Sequence, residues 1–242
     1  MYAIILCGGK GTRLREYTET TPKPLVEIGG RPILWHLLKY YSHFGITDFI
    51  LCTGYLQEKF TEYFSSSREF PRVQCVNTGT DTIKSERIKQ IQPLIPAGEH
   101  FIVAYGDDLS DVPLPGLLDF HRQHGKIATL VAVQPRSQYG ILQLNGTMVK
   151  GFVEKPVLDH WINGGFFVFT YGIFDYLQYG ELESSVLPKL AEEGQVSAYQ
   201  HYGFWKSMNT FQDVIELNDL YAKGQAKWSV SAIPYEQSIL AV

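Results

Sequence analysis

The sequence predicts an α/β protein: a doubly wound, mostly parallel sheet with an inserted antiparallel hairpin. Three observations carry that prediction. Short apolar runs at 2–7, 48–53, 73–77 and 100–105 alternate with helix-like patterns at 33–44, 56–64 and 83–91, as parallel strands alternate with crossover helices. The first run opens directly into the turn Gly8-Gly9-Lys10-Gly11, and ligands of open sheets bind beyond the carboxyl ends of the strands. Asn145-Gly146 separates two further runs, 140–144 and 148–154, and is a type I′ hairpin signal.

At 242 residues and 45% hydrophobic content, one α/β domain with a full core is expected over 1–242, with a tail from 224. A net charge of −4 gives no electrostatic case for nucleic acid or an anionic membrane. No charged leader precedes the first strand, and no apolar run approaches the length of a membrane span. A cytoplasmic protein meeting neither nucleic acid nor membrane is the expectation; a homo-oligomer stays open. Cys7, Cys52 and Cys75 sit in separate apolar runs and read as buried reduced thiols rather than disulfides or zinc ligands.

Each element has a local reason. Tyr2 to Cys7 is apolar throughout, as a strand covered on both faces must be. Pro32 suits a helix start, Ile33, Leu34, Leu37, Leu38 and Tyr41 share one face, and Gly45 ends the helix. Asp48–Thr53 and Val73–Asn77 read as strands, Leu56–Phe64 and Ile83–Ile91 as helices, and Ser65–Pro71 as a surface loop. The run from His100 to Tyr105 reads as a strand that meets the acid pair Asp107-Asp108. Asp108 and Asp111 read as caps for the next helix, Leu114–His124. Ala128–Val133 is a further strand. The run 181–191 reads as an amphipathic helix closed by Gly194, Val196–Tyr199 as a short edge strand, and Phe211–Lys223 as a closing helix. In the tail, Trp228, Ile233 and Leu240 are candidates for docking on the domain or on another subunit.

The chemistry concentrates at the first turn. Gly8, Gly9 and Gly11 free the backbone for positive φ and leave no Cβ between it and a ligand. Successive N–H groups in such a loop converge on an anion. Arg13 adds a planar fork suited to phosphate, and Lys23 a compact charge. Pro22 and Pro24 are expected to hold the backbone around Lys23 extended. A glycine-rich turn can be no more than a turn, and this one is neither a Walker A loop nor a full dinucleotide fingerprint. Its combination with Arg13 and a proline-flanked Lys23 favours phosphate. Asp107, at the carboxyl end of a strand facing that loop, is placed to hold Mg²⁺ against phosphate oxygens.

The stretch Leu6-Cys7-Gly8-Gly9-Lys10-Gly11-Thr12-Arg13-Leu14, with Thr21-Pro22-Lys23-Pro24-Leu25, resembles the signature of the sugar-1-phosphate nucleotidylyltransferases. Val26 to His36 resembles one branch, the glucose-1-phosphate cytidylyltransferases. The likeness runs in register over nearly the whole chain and implies a Rossmann-like nucleotidyltransferase fold. It implies nucleotide contacts at Leu6, Gly8, Gly9, Gly11, Thr12, Arg13, Lys23, Thr82, Arg87 and Gly106, with Thr82 and Arg87 facing the base. Glu154-Lys155-Pro156 matches a family motif in which Lys155 binds the acceptor's phosphate and Glu154 a sugar hydroxyl. Asn163 of Asn163-Gly164-Gly165 is the implied sugar contact, with Tyr139-Gly140 as a pocket wall. The family's metal-binding Asp falls on Asp107. Its second metal ligand, also Asp, is Asn209 here, and Asp213 one turn on is a candidate to compensate. The family's Thr-Gly-Gly before the arginine is Lys84-Ser85-Glu86.

The implied reaction is nucleotidylyl transfer from CTP to a sugar 1-phosphate, glucose 1-phosphate favoured, with Mg²⁺ as cofactor, giving a CDP-sugar and pyrophosphate. The acceptor phosphate is already ionised at neutral pH, so no general base is needed. Arg13, Lys23 and Asp107 carry the catalysis: Lys23 toward the α-phosphate, Arg13 toward the leaving pyrophosphate. Two alternatives remain: the same chemistry with another acceptor or nucleotide, and a non-catalytic nucleotide-sugar-binding regulatory subunit.

Overall fold

The computed structural model describes residues 1–65 and 67–233. A seven-stranded sheet forms its centre. In chain order its strands are β1 (Tyr2–Leu6), β2 (Asp48–Thr53), β3 (Val73–Asn77), β4 (Phe101–Tyr105), β6 (Ala128–Val133), β9 (Ile162–Phe169) and β10 (Val196–His201). Outside that sheet lie β5 (Asp108–Ser110), β11 (Trp205–Ser207), and the hairpin β7 (Ile141–Asn145) and β8 (Met148–Val153). The spatial order is β10-β6-β9-β4-β1-β2-β3. Every pairing is parallel except those of β9 with β4 and β6.

Strand alternation divides the core between the two faces. Ala3, Ile5, Phe49, Leu51, Ile102, Ala104, Phe166 and Val168 pack with helix α1 (Ile33–His43) and helix α4 (Leu114–His124). Ile4, Ile50, Cys52, Phe101, Val103, Phe167 and Phe169 pack on the opposite face with Ile88 of helix α3 (Lys84–Gln90) and with Leu182, Val186 and Leu190. A third core gathers Leu14, Ile28, Leu109, Met208 and Trp228 with Val214 and Leu217 of helix α6 (Phe211–Ala222). Trp228 thus docks on the domain and Ile233 packs on the first core, whereas Leu240 lies outside the described residues. Helix α2 (Gln57–Ser65) and helix α5 (Leu187–Glu192) complete the layers.

Several expectations are corrected. The edge strand extends to His201, and the run 182–186 is a π-helical turn that enters α5. Asp108 and Asp111 cap nothing: Pro113 precedes α4 with no side-chain cap, Asp108 is a buried strand residue, and Asp111 accepts from the Phe204 amide at 2.7 Å and sits 2.8 Å from His201 Nε2. The hairpin loop is Gly146-Thr147, because Asn145 pairs directly with Met148. Gly146 has φ 59° and Thr147 does not have positive φ, so the turn is not type I′. Around Lys23 the backbone is a 3₁₀ turn, Lys23–Leu25, rather than extended. The turn tolerates Pro24 because a proline near a helical start forfeits no needed N–H.

Among the described residues no helix is long and apolar enough to cross a membrane. The cysteines are free, with Cys7 and Cys52 buried and Cys75 half-buried.

Candidate active site

The order β3-β2-β1-β4 reverses direction between β1 and β4, and a crevice opens at such a switch point beyond the strand ends. Leu6 pairs with Tyr105 there, so the glycine turn and the Gly106-Asp107 turn leave the sheet side by side. The Gly106 amide donates to Leu6 O at 3.3 Å. The resulting cleft, about 680 Å³, is lined on one side by Leu6, Gly8, Gly9, Lys10, Gly11 and Arg13. Its other walls include Lys23, Thr82, Lys84, Arg87, Asp107, Asn163 and Asn209.

The acidic end is built by a second strand pair. β11 runs antiparallel to β5 with Ser207 opposite Asp108, and the Met208 amide donates to Asp107 O at 2.9 Å. This brings Asn209, from the far end of the chain, beside Asp107. Lys23 joins them: its ammonium donates to Asp107 Oδ2 and, at 2.9 Å, to Asn209 Oδ1. Lys23 is only 8% exposed, so water is largely replaced around its ammonium by those two partners. Asp108 points elsewhere, against Gly165, where a Cβ would lie 2.0 Å from its Oδ2. Burial first, then the neighbouring Asp107, holds the Asp108 carboxyl well above the usual carboxylate range.

Arg87 is a clamp. Its guanidinium donates to Thr53 O at 3.3 Å, Thr78 Oγ1 at 2.7 Å, Gly79 O at 2.6 Å, Thr80 O at 3.0 Å and Gly8 O at 3.3 Å. One buried fork therefore ties the ends of β1, β2 and β3 together. Gly8 has to be glycine for this, because a Cβ would stand 1.8 Å from Arg87 Nη1. Burial lowers the Arg87 pKa from its ordinary value. Lys10 and Asp81 form an exposed pair, 2.7 Å apart, that bridges the same loops nearer solvent.

Tyr105 and Lys84 line another part of the cleft, backed by Glu183. Tyr105 Oη and Lys84 Nζ both donate to Glu183 Oε1, and the ammonium lies 4.8 Å from the Tyr105 ring centroid. Burial raises the Tyr105 pKa, as does its bond to Glu183. For Glu183 burial acts upward, but the bonds from Lys84 and Tyr105 prevail and hold it below the usual carboxylate value.

The cleft gathers Leu6, Gly8, Gly9, Gly11, Arg13, Lys23, Thr82, Arg87, Asp107, Asn163 and Asn209 from the sequence expectation. Thr12, Gly106, Gly140, Glu154 and Lys155 are not among its lining residues. Gly106 is buried behind the loop, where a Cβ would meet Pro24 Cγ at 3.0 Å. Gly140, Glu154 and Lys155 flank the hairpin, whose two strands pair only with each other among the described residues, and Lys155 O accepts from Arg136 Nη1 at 3.5 Å. Glu154 and Lys155 are exposed, and Lys155 has φ 45°. Asp213 does not supply the missing carboxylate. It closes a capping box with Thr210, accepts from the Asn209 amide at 3.0 Å and pairs with Lys206 at 2.9 Å. Burial opposes its ionisation, but those bonds hold its pKa low.

Sequence reasoning missed Lys84, Tyr105, Asp108, Glu181, Trp205 and Ser207 as cleft residues. A signal existed for the last two: strand alternation puts Trp205 and Ser207 on one face, leading toward Asn209.

Two oxygen donors holding one ammonium between them mark a cation position, and hard oxygen ligands fit Mg²⁺. Among the described residues no group of three or more His, Cys, Asp or Glu side chains is placed to hold a metal. Substrate oxygens would have to complete the coordination.

A glycine-lined turn facing a carboxylate across a switch-point crevice suits transfer chemistry on phosphates. The nucleotidyl transferase family model matches residues 2–224, and the chain belongs to that family. It is 39% identical over 253 residues to the glucose-1-phosphate cytidylyltransferase of Salmonella typhimurium, covering 94% of this chain and 98% of that one. The mannose-1-phosphate guanyltransferase of Saccharomyces cerevisiae is 31% identical over 243 residues, covering 94% and 66%. The crystal structure of HddC from Yersinia pseudotuberculosis shares the fold, with a TM-score of 0.71 at 23% identity over 91% of this chain and 99% of that one.

Proposed function

We propose that this single-domain enzyme transfers the cytidylyl group of CTP to glucose 1-phosphate, giving CDP-glucose and pyrophosphate. The observation that carries the reading is the meeting of Gly8–Gly11, Arg13, Lys23 and Asp107 in one cleft, in a chain 39% identical to a glucose-1-phosphate cytidylyltransferase. An oxygen of the acceptor's ionised phosphate attacks the α-phosphorus, the bond to the bridging oxygen breaks, and pyrophosphate leaves. Two unit charges of like sign at ~4 Å repel by about 4 kcal/mol at an effective dielectric of ~20. Lys23 at the α-phosphate and Arg13 at the pyrophosphate offset that repulsion. Asp107 and Asn209 would hold Mg²⁺, which when bound supplies further charge neutralisation on the phosphates. Thr82 faces the base, and Arg87 fixes the loop beside it. Asn163 hydrogen-bonds the sugar, and Gly140, Glu154 and Lys155 on the hairpin contact the acceptor.

The test is pyrophosphate release with CTP, UTP, GTP and dTTP, each against glucose 1-phosphate, mannose 1-phosphate and glycerol 3-phosphate. Release confined to CTP with glucose 1-phosphate is expected, with CDP-glucose identified by mass. Preference for another pair would replace the substrate assignment, and no release with any pair would turn the reading toward a regulatory binding subunit.

A further inference from the structure

The Lys23 ammonium lies between the two side chains assigned to the metal, donating to Asp107 Oδ2 and to Asn209 Oδ1 at 2.9 Å. We propose that Lys23 occupies the divalent-cation position in the nucleotide-free protein, so that the metal enters only with a nucleoside triphosphate, whose phosphates take over the displaced ammonium. The inference rests on the reading that Asp107 and Asn209 face the metal.

Charge supplies the first reason. Asp107 contributes −1, Lys23 +1 and the Asn209 amide nothing, so the three groups sum to zero. A divalent ion approaching from water finds a neutralised pair in place of a free carboxylate. The second reason is burial. Lys23 is 8% exposed, and a buried ammonium stripped of its partners is costly. Without nucleotide, metal entry would strand Lys23. With nucleotide, the phosphate oxygens beside Gly8–Arg13 offer it a new partner, and Lys23 and Gly11 both line that part of the cleft. A Cβ at Gly11 would lie 3.0 Å from Lys23 Cβ, so the stem of the side chain is already against the loop. Metal and nucleotide therefore bind cooperatively, and each raises the other's affinity by the same factor.

Asn209 sharpens the effect in this chain. A carboxylate at 209 would leave the trio at −1 and favour metal even in the absence of nucleotide. Asp213 cannot restore that charge, being held by Lys206 at 2.9 Å and by the Thr210 cap. Asp108 turns away onto Gly165.

Mn²⁺ serves as the probe, followed by electron paramagnetic resonance and water-proton relaxation on the full chain. Wild type without nucleotide is expected to show no saturable binding up to ~1 mM, while Mn²⁺ with CTP forms a ternary complex. Lys23→Met and Asn209→Asp should each bind Mn²⁺ without nucleotide at least about tenfold more tightly than wild type. Asn209→Asp keeps Lys23 in place, so it answers the question even if Lys23→Met fails to fold. Tight Mn²⁺ binding to nucleotide-free wild type, or no gain in either variant, overturns the proposal while leaving the enzymatic reading intact. No ternary complex with wild type would instead overturn the assignment of the metal to Asp107 and Asn209, and the exchange with it.

Discussion

Replacing Arg87 by lysine keeps a positive charge and removes a geometry. The guanidinium satisfies Thr53 O, Thr78 Oγ1, Gly79 O, Thr80 O and Gly8 O from two nitrogens on a rigid plane. An ammonium has three donors around one point and cannot reach acceptors spread over three strand ends. Thr53 O keeps the Thr78 amide and hydroxyl, and Gly8 O keeps the Tyr55 amide. The carbonyls that lose their partner are Gly79 O and Thr80 O, and a buried unsatisfied acceptor costs about 1–3 kcal/mol. Those two carbonyls are only partly buried, so the expected loss lies near the lower end, roughly 2–3 kcal/mol. Urea unfolding measures it. The same change loosens the phosphate loop without touching the base, so KM should rise in parallel for CTP, UTP and GTP and leave their ranking unchanged. Unaltered unfolding with a shift of base preference of about tenfold, or 1.4 kcal/mol, would refute the clamp and make Arg87 a reader of the base.

Arg13→Ala should lower kcat/KM by ~10²–10³, the usual cost of losing one transition-state donor; turnover near wild type would remove Arg13 from the mechanism. Asn209→Asp should raise activity at limiting Mg²⁺ and change little at saturation, read from Mg²⁺ titrations of pyrophosphate release. Burial, helped by His100 and His124, lowers the His121 pKa from 6.5 to about 4. Unfolded chains take up that proton first, so stability is full above the unfolded value and falls as pH drops from 6.5 to about 4. The loss totals roughly 3 kcal/mol, and an unchanged urea midpoint between about pH 7 and pH 5 would contradict it. Trp228→Ala should cost about 3–5 kcal/mol by emptying the third core, seen as a lower thermal midpoint.

Much of this frame can be read in the chain, because its strands are apolar runs bounded by glycines and its principal helix carries one apolar stripe from Ile33 to Tyr41. Asp48–Thr53, Val73–Asn77 and Ala128–Val133 lie where the patterns place them. The glycine turn and Asp107 were legible because local sequence puts them just past strand ends, and Arg13 and Lys23 because each sets a cation close after that turn. What escaped depends on partners distant in sequence. Asp108 resembles a helix cap until its pairing with Ser207 is known, and Tyr105 and Lys84 look unremarkable until Glu183 folds across them. The Arg87 clamp draws on segments from three strand ends, and no spacing in the chain announces it.

The neighbouring rungs Leu6 and Tyr105 carry the glycine turn and the Gly106-Asp107 turn, while Gly140, Glu154 and Lys155 flank a ribbon whose two strands, among the described residues, pair only with each other and whose base is bridged by Arg136 and Val157. Substitutions along that ribbon leave the rungs undisturbed. A molecule so divided can drift in what it modifies and keep how it does so.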